Sequence, residues 1–347
     1  MTFRKPSGIG SEEFKSLHMR RFGVSNPERV ENPVWQHMVR TGADPYWARE
    51  AYGVDSFDAK APGWTYRRFG MPVVTMPDGR RIAIAGEHED HYHPEFCIYN
   101  DVIVRYADDI EIYAYPREVF PPTDFHTATL IGGTIWIVGS LGYREDRVYT
   151  TTPVLCLDAE TYAVRSVAVG GEHIGQIYDH RARVLEDGIT IEIRGGKRIT
   201  KNRVGKERLN PNHSVCRFNT QTLEWSVVGD TSSWRRFVVR ESLEPPYIEE
   251  SDAWIYGQAL LDLGFPLETD PAPAIDGFPE AHEPRHTLYV DGVPVCVTVG
   301  IDGLRIDVEG ALPRRRVDVV LHAIREAASR TGFAIGLPVE EAWKPVG

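Results

Sequence analysis

The feature that most constrains this chain is a recurrence. Three stretches of its 347 residues, 71–116, 125–169 and 178–229, carry the same parts in the same order. Each opens on a short strand-like run and turns at a glycine-containing pair: Asp78-Gly79, Gly132-Gly133 or Asp187-Gly188. Such pairs supply the positive φ angles that a two-residue hairpin requires. A second apolar or alternating run follows, Ile82-Ala83-Ile84, Ile135-Trp136-Ile137-Val138 or Ile189-Thr190-Ile191, and ends at Gly86, Gly139 or Gly195-Gly196. A polar loop of variable length, a third strand, a turn and a fourth strand complete the unit. Gly86 and Gly139 are 53 residues apart, Gly139 and Gly195 are 56, and His126 and His180 are 54. A period near 50 with four strands per unit predicts small sheets repeated about an axis. One such sheet cannot bury both faces alone, so neighbours must stack.

The third unit continues into Asn219-Thr220-Gln221-Thr222-Leu223-Glu224-Trp225. With the preceding strand, turn, strand and Gly195-Gly196, this resembles a kelch repeat. In that family a glycine pair ends the second strand and an aromatic residue follows a turn of this type. The second unit departs from the pattern with Gly139-Ser140 and Val164, and the first with Gly86-Glu87. The resemblance spans about 160 residues of the chain. It implies a mainly β, kelch-like β-propeller, and it implies no single chemistry, because such folds serve as binding platforms and as enzymes. Propellers use four or more blades. Either residues 230–310 supply a fourth, or the propeller is partial or open. In an open form the terminal regions or a second chain in an oligomer cover the edge strands.

The flanks divide the chain further. Residues 1–56 read as an N-terminal helical extension. Asn32-Pro33 marks a capped helix start and Gly42 its end, and Asp44-Pro45 with Gly53 repeats the scheme. Residues 57–240 hold the blades. Residues 241–285, rich in proline, glycine and acid, read as a long connection. Residues 286–347 read as a small α+β unit. Its strands lie at 287–290, 293–300 and 304–308, and its helix at 317–330 carries a stripe of Val317, Val320, Leu321, Ile324 and Ala328. Arg314, Arg315 and Arg316 precede that helix. Positive charge there opposes the helix dipole, so pairing with acidic groups is the expected role.

The net charge is -11. That disfavours a phosphate backbone as ligand and favours a basic protein partner. No run of eighteen apolar residues predicts a membrane span, and the first residues lack a secretory core, so the expectation is cytoplasmic. Cys97, Cys156, Cys216 and Cys296 form no metal-binding spacing and read as free, reduced thiols.

Two constellations can carry chemistry. The first is Gly86-Glu87-His88-Glu89-Asp90-His91-Tyr92-His93-Pro94-Glu95, three imidazoles and four carboxylates after the second strand of the first unit. Imidazoles and carboxylates together suit a divalent metal, with His88, His91 and His93 as ligands. The alternative is a solvated loop held by its own hydrogen bonds. The second is Asp124 with His126 and Asp179 with His180, at matched positions of two units. An aspartate can orient a histidine as general base. The resemblance implies instead that this histidine bonds backbone near the axis. Repetition also favours structure, since a catalytic group is needed once.

Three functions remain open. The first is a non-enzymatic protein-binding module, of inhibitor or immunity type, without a cofactor. The second is a metal-assisted enzyme, a hydrolase, lyase or oxidase, at the propeller mouth. The third is a carbohydrate-binding propeller that uses some of the eight tryptophans.

Overall fold

The computed structural model describes residues 5, 8–42, 45–54, 63–90, 93–107, 109–172, 174–202, 204–230, 235–240, 267–269, 285–300, 303–330 and 339–341. The fold is mainly β, with several sheets, an N-terminal helical segment and a C-terminal helix. The chain forms two compact units, Met1–Gly229 and Asp230–Gly347. Among the described residues no helix is long and apolar enough to cross a membrane.

Each of the three repeated stretches is an antiparallel sheet of four strands in chain order. The first contains Val73–Thr75, Arg81–Ile84, Val102–Tyr106 and Asp109–Ala114. The second contains Thr127–Ile131, Thr134–Val138, Val154–Asp158 and Val164–Ser166. The third contains Arg181–Val184, Thr190–Arg194, Ser214–Asn219 and Glu224–Asp230. No closed ring is present among the described residues.

Strand alternation explains why the sheets stack. Side chains of a strand point to opposite faces in turn. In the second sheet Ile135, Ile137, Leu155 and Leu157 join a core with Ile82, Ile84, Val102 and Val104 of the first. The intervening Trp136, Val138, Val154 and Cys156 join another with Ile191, Ile193, Cys216, Phe218 and Trp225 of the third. The middle sheet is therefore apolar on both faces. Each fully buried aliphatic side chain contributes roughly 1.5–3 kcal/mol.

The far face of the third sheet is different. Glu192 is fully buried there and paired with Arg183, Arg194 and Arg217. Burial alone would raise its pKa, but the three guanidiniums outweigh burial and lower it. This charged face replaces the apolar surface that a further sheet would need, as terminal repeats of stacked proteins do. On the other side of the stack, helix Pro33–Thr41 packs against strand Asp109–Ala114. The Asn32 side chain accepts from Val34 N and Trp35 N, and Gly42 ends the helix at φ 60°, as the sequence predicts.

The fourth strand of each of the three sheets has part of its outer edge covered. Glu28–Arg29 pairs with Ala114 and Tyr113 on the first sheet. The Asn26 amide donates to Val164 O at 2.7 Å and accepts from Val164 N at 2.8 Å on the second. Gly170–Gly171 pairs in parallel with Glu224 and Trp225 on the third. A Cβ on Gly171 would lie 2.2 Å from the Trp225 carbonyl oxygen, so only glycine fits this approach.

Several expectations need correction. Only Gly132-Gly133 forms the two-residue hairpin, joining Ile131 to Thr134. The other two turns are longer: Thr75 pairs Arg81, and Val184 pairs Ile191. There the Asp78 carboxylate accepts from Arg80 N, and that of Asp187 from Ile189 N and Thr190 N. These side-chain contacts set the turn. The glycine pair of the first unit is matched by Ala85-Gly86, not Gly86-Glu87. Ala85 and Gly86 have φ 51° and 90°, as Gly195 and Gly196 have 66° and 73°.

In the second unit, Arg235–Arg240 pairs with Gly303–Val308 and Val339–Glu341. Residues 235–240, grouped with the blades in the sequence, therefore belong to this sheet, and the division into compact units falls at 229/230. Arg285–Val290 and Val293–Gly300 lie in the same six-stranded sheet, so the described residues of 230–310 form no fourth unit of the repeated kind. Helix Arg314–Arg330 packs Val317, Val320, Leu321 and Ile324 on it. The three arginines sit inside the helix. Arg314 pairs with Asp318 and Glu340, and Arg316 with Asp291. The expected connection 241–285 lies outside the described residues except for Leu267–Thr269 and Arg285.

Candidate functional site

The centre of the three-sheet unit is built from one recurring corner. Gly70, Phe125 and Asp179 precede or adjoin the first strand of their sheets with φ 59°, 48° and 54°. Phe125 N donates to Gly70 O at 3.0 Å, and Asp179 N donates to Phe125 O at 2.7 Å. The corners are thus linked one to the next by backbone bonds. A second row runs beside them: Gly86 N donates to Thr123 O at 2.9 Å, and Ser140 N to Ile177 O at 3.1 Å. The first strands of neighbouring sheets are in contact.

The residues after the corners are Met71, His126 and His180, all buried. One unit places a thioether where the other two place imidazoles. Neither ring nitrogen of His126 has a hydrogen-bond partner among the described residues. His180 Nε2 is hydrogen-bonded with the Thr127 hydroxyl at 3.0 Å, while its Nδ1 has none. Burial drives both pKa values down, that of His126 to about 3 and that of His180 to about 4. Both rings are neutral at pH 7. Neither bonds backbone, contrary to what the resemblance implies.

Asp124 does not orient His126. It is fully buried, and its Oδ1 accepts from Ser140 Oγ at 3.1 Å and from Gly142 N at 2.7 Å. Burial raises its pKa despite those bonds. The buried Glu87 side chain acts with those bonds to hold it lower than burial alone would. Asp179 occupies the strained corner itself. The two histidines therefore share one architectural position while the two aspartates do not, and among the described residues neither aspartate is hydrogen-bonded to its histidine.

The histidine-rich run forms a hairpin, Glu87–Asp90 with His93–Ile98. Its register sets His88 opposite Cys97 and Asp90 opposite His93. His91 lies outside the described residues, as do the side chains of Glu89, Asp90 and His93. Among the described residues no group of three His, Cys, Asp or Glu side chains is placed to hold a metal ion.

Sequence reasoning missed a third constellation. The polar loop between second and third strands is an insertion in every unit: the hairpin 87–98, the segment 139–153, and the hairpin Lys197–Lys201 with Glu207–Pro211. The three insertions touch in succession. The Tyr143 hydroxyl accepts from Ile98 N at 2.8 Å, and its ring meets Phe96 edge-on at 5.7 Å. Arg147 Nη1 donates to Glu207 Oε1 at 2.5 Å, and the Tyr149 hydroxyl donates to Glu207 Oε2 at 3.0 Å. Gln176 fixes the middle segment, accepting from Val148 N and donating to Ser140 O, both at 2.8 Å. Phe96, Val148, Val204 and Leu209 are exposed along this rim.

The tryptophans whose side chains are described offer no sugar platform. Trp35, Trp64, Trp136 and Trp225 are all buried. Trp64 stacks on Trp35 at 4.8 Å and donates from Nε1 to Asp101. Asp101 in turn holds a buried ion pair with Arg68.

No protein-family profile matches the chain. No curated protein matches it either. Solved structures that resemble it include "Structure of YjhT", at 14% identity and TM-score 0.34 over 49% of this chain and 54% of that one. The chain thus spans about half the length of that neighbour. Another is MPT-4, a mannose phosphorylase from Leishmania mexicana in complex with phosphate ion, at 10% identity and TM-score 0.34 over 72% of this chain and 69% of that one. At these scores neither neighbour informs the chemistry of this chain.

Proposed function

We propose that the chain is a non-enzymatic protein-binding module on an open, kelch-like propeller fragment, and that the rim of insertions is its contact surface. One observation carries this reading. Three insertions at the same point of three units touch in succession and expose apolar side chains along one rim. Rigid sheets with variable insertions are the usual way to display a binding surface. An inhibitor or immunity role is one form of it. The test is capture of a partner from native cells at low salt by the full chain and by Phe96→Ser/Val148→Ser. Both positions are exposed, so the variant should fold with an unchanged melting temperature and lose the partner. Absence of any saturable partner, or full retention by the variant, would overturn the reading.

A second reading, a metal-assisted enzyme, has one observation in its favour: the unpartnered ring nitrogens of His126. Buried polar atoms are ordinarily paired. Metal analysis of purified protein decides it. Stoichiometric metal lost on His88→Ala/His93→Ala would support the loop site, and metal lost on His126→Ala the central one.

A further inference from the structure

Charge is not uniform along this acidic chain. Residues 178–229 contain ten Lys or Arg and six Asp or Glu, against a net charge of -11 for the whole. The excess is concentrated on the third insertion, where Lys197, Lys201, Lys206 and Arg208 are exposed. Glu207, the carboxylate of this hairpin, is occupied by Arg147 and Tyr149. Lys201 Nζ lies 4.0 Å from the Tyr149 ring centroid, and Lys197 Nζ 5.8 Å from that of Tyr178. Aromatic faces hold these ammonium groups without neutralising them.

The hairpin is part of a three-stranded sheet in the order Gln176–Tyr178, Lys197–Lys201, Glu207–Pro211. Among the described residues nothing pairs with the outer edge of Glu207–Pro211. A free edge flanked by cations is a template for strand addition. Val204 and Leu209, 85% and 49% exposed, lie among the cations. A nucleic acid backbone would satisfy the charges and leave those apolar groups unmatched. An extended acidic peptide with interspersed apolar residues satisfies charge, edge and apolar surface together.

Resting on the protein-binding reading, we infer that an acidic extended segment of the partner adds to the edge of Glu207–Pro211. This partner chemistry is the opposite of what the whole-chain charge suggests, because local charge decides at a contact. The probe is a fluorescein-labelled peptide of four Glu-Glu-Val repeats, titrated with the full chain and followed by anisotropy. Saturable binding that weakens with salt is expected. Lys201→Glu/Lys206→Glu/Arg208→Glu should weaken it at least tenfold with an unchanged melting temperature. Absence of binding, retained affinity in the variant, or tighter binding of twelve-nucleotide single-stranded DNA would overturn the inference. A partner captured from cells equally well by wild type and by this charge-reversal variant would sink the inference and leave the protein-binding reading standing. Failure of wild type to capture any partner would remove that reading itself.

Discussion

Phe125 donates its backbone N–H to the carbonyl of Gly70 at 3.0 Å, and so ties the corner of the second sheet to that of the first. A Cβ on Gly70 would lie 2.3 Å from Phe125 N, at a φ of 59° that side chains rarely adopt. Backbone cannot yield cheaply on either side. Gly70→Ala should therefore destabilise the three-sheet unit by about 3 kcal/mol or more, the range of strain and clash in a packed core. Urea denaturation checks this, with Gly132→Ala as the control. Gly132 has open space around its Cβ, so its substitution carries only the strain of its φ of 55°.

The buried histidines set the acid response. Their folded pKa values, about 3 and about 4, lie below the ordinary histidine value of 6.5. The unfolded chain therefore binds more protons between those limits, and stability falls as pH drops below about 6.5. Asp124, with its pKa raised by burial, acts in the opposite sense and offsets part of the slope below its own folded pKa. Paired carboxylates such as Glu192 and Glu207, whose pKa values are lowered, add loss only below about 4.5. Melting temperatures measured from pH 7 to pH 5 should decline, and His126→Gln should flatten the decline. An unchanged slope in that variant would contradict the account.

The repeat period, the four-strand units and the Asn32 and Gly42 helix caps were legible in the sequence because glycine, proline and alternation act locally, while Asp44 lies outside the described residues. The inserted hairpins were not. Glu87-His88-Glu89-Asp90 and Lys197-Arg198-Ile199-Thr200-Lys201 are polar or mixed, so neither shows the apolar alternation by which a strand is read. Ala85 in the left-handed region hid the glycine-pair match of the first unit. Arg235–Arg240 was misplaced because its partners lie about 70 and 100 residues onward in sequence. The burial of His126 and His180 depends on contacts between sheets, which no local pattern encodes.

Glu192 anchors the charged face of the third sheet. Its side chain is fully buried, while Arg183, Arg194 and Arg217 remain partly exposed. Glu192→Ala leaves three guanidiniums facing one another over a cavity. A loss of about 2 kcal/mol is expected, below the 3–5 kcal/mol of a wholly buried pair because solvent reaches the arginines. Thermal melts at low and high salt test it. The variant should recover part of its stability at high salt, where the arginines repel one another less.

All four cysteines are buried and free. Burial raises the pKa of Cys97, Cys156 and Cys216, the last to about 11. Thiols held protonated and out of solvent react slowly. Titration with a thiol reagent should find these three unreactive in the native protein at pH 8 and reactive in denaturant.

Hydrogen–deuterium exchange of the full chain, alone and saturated with its captured partner, bears most directly on the binding rim. The account predicts that the partner slows exchange together in 87–98, 139–153 and 197–211. Protection confined to the unit that begins at Asp230, or spread over the sheets with the rim unaffected, would contradict it.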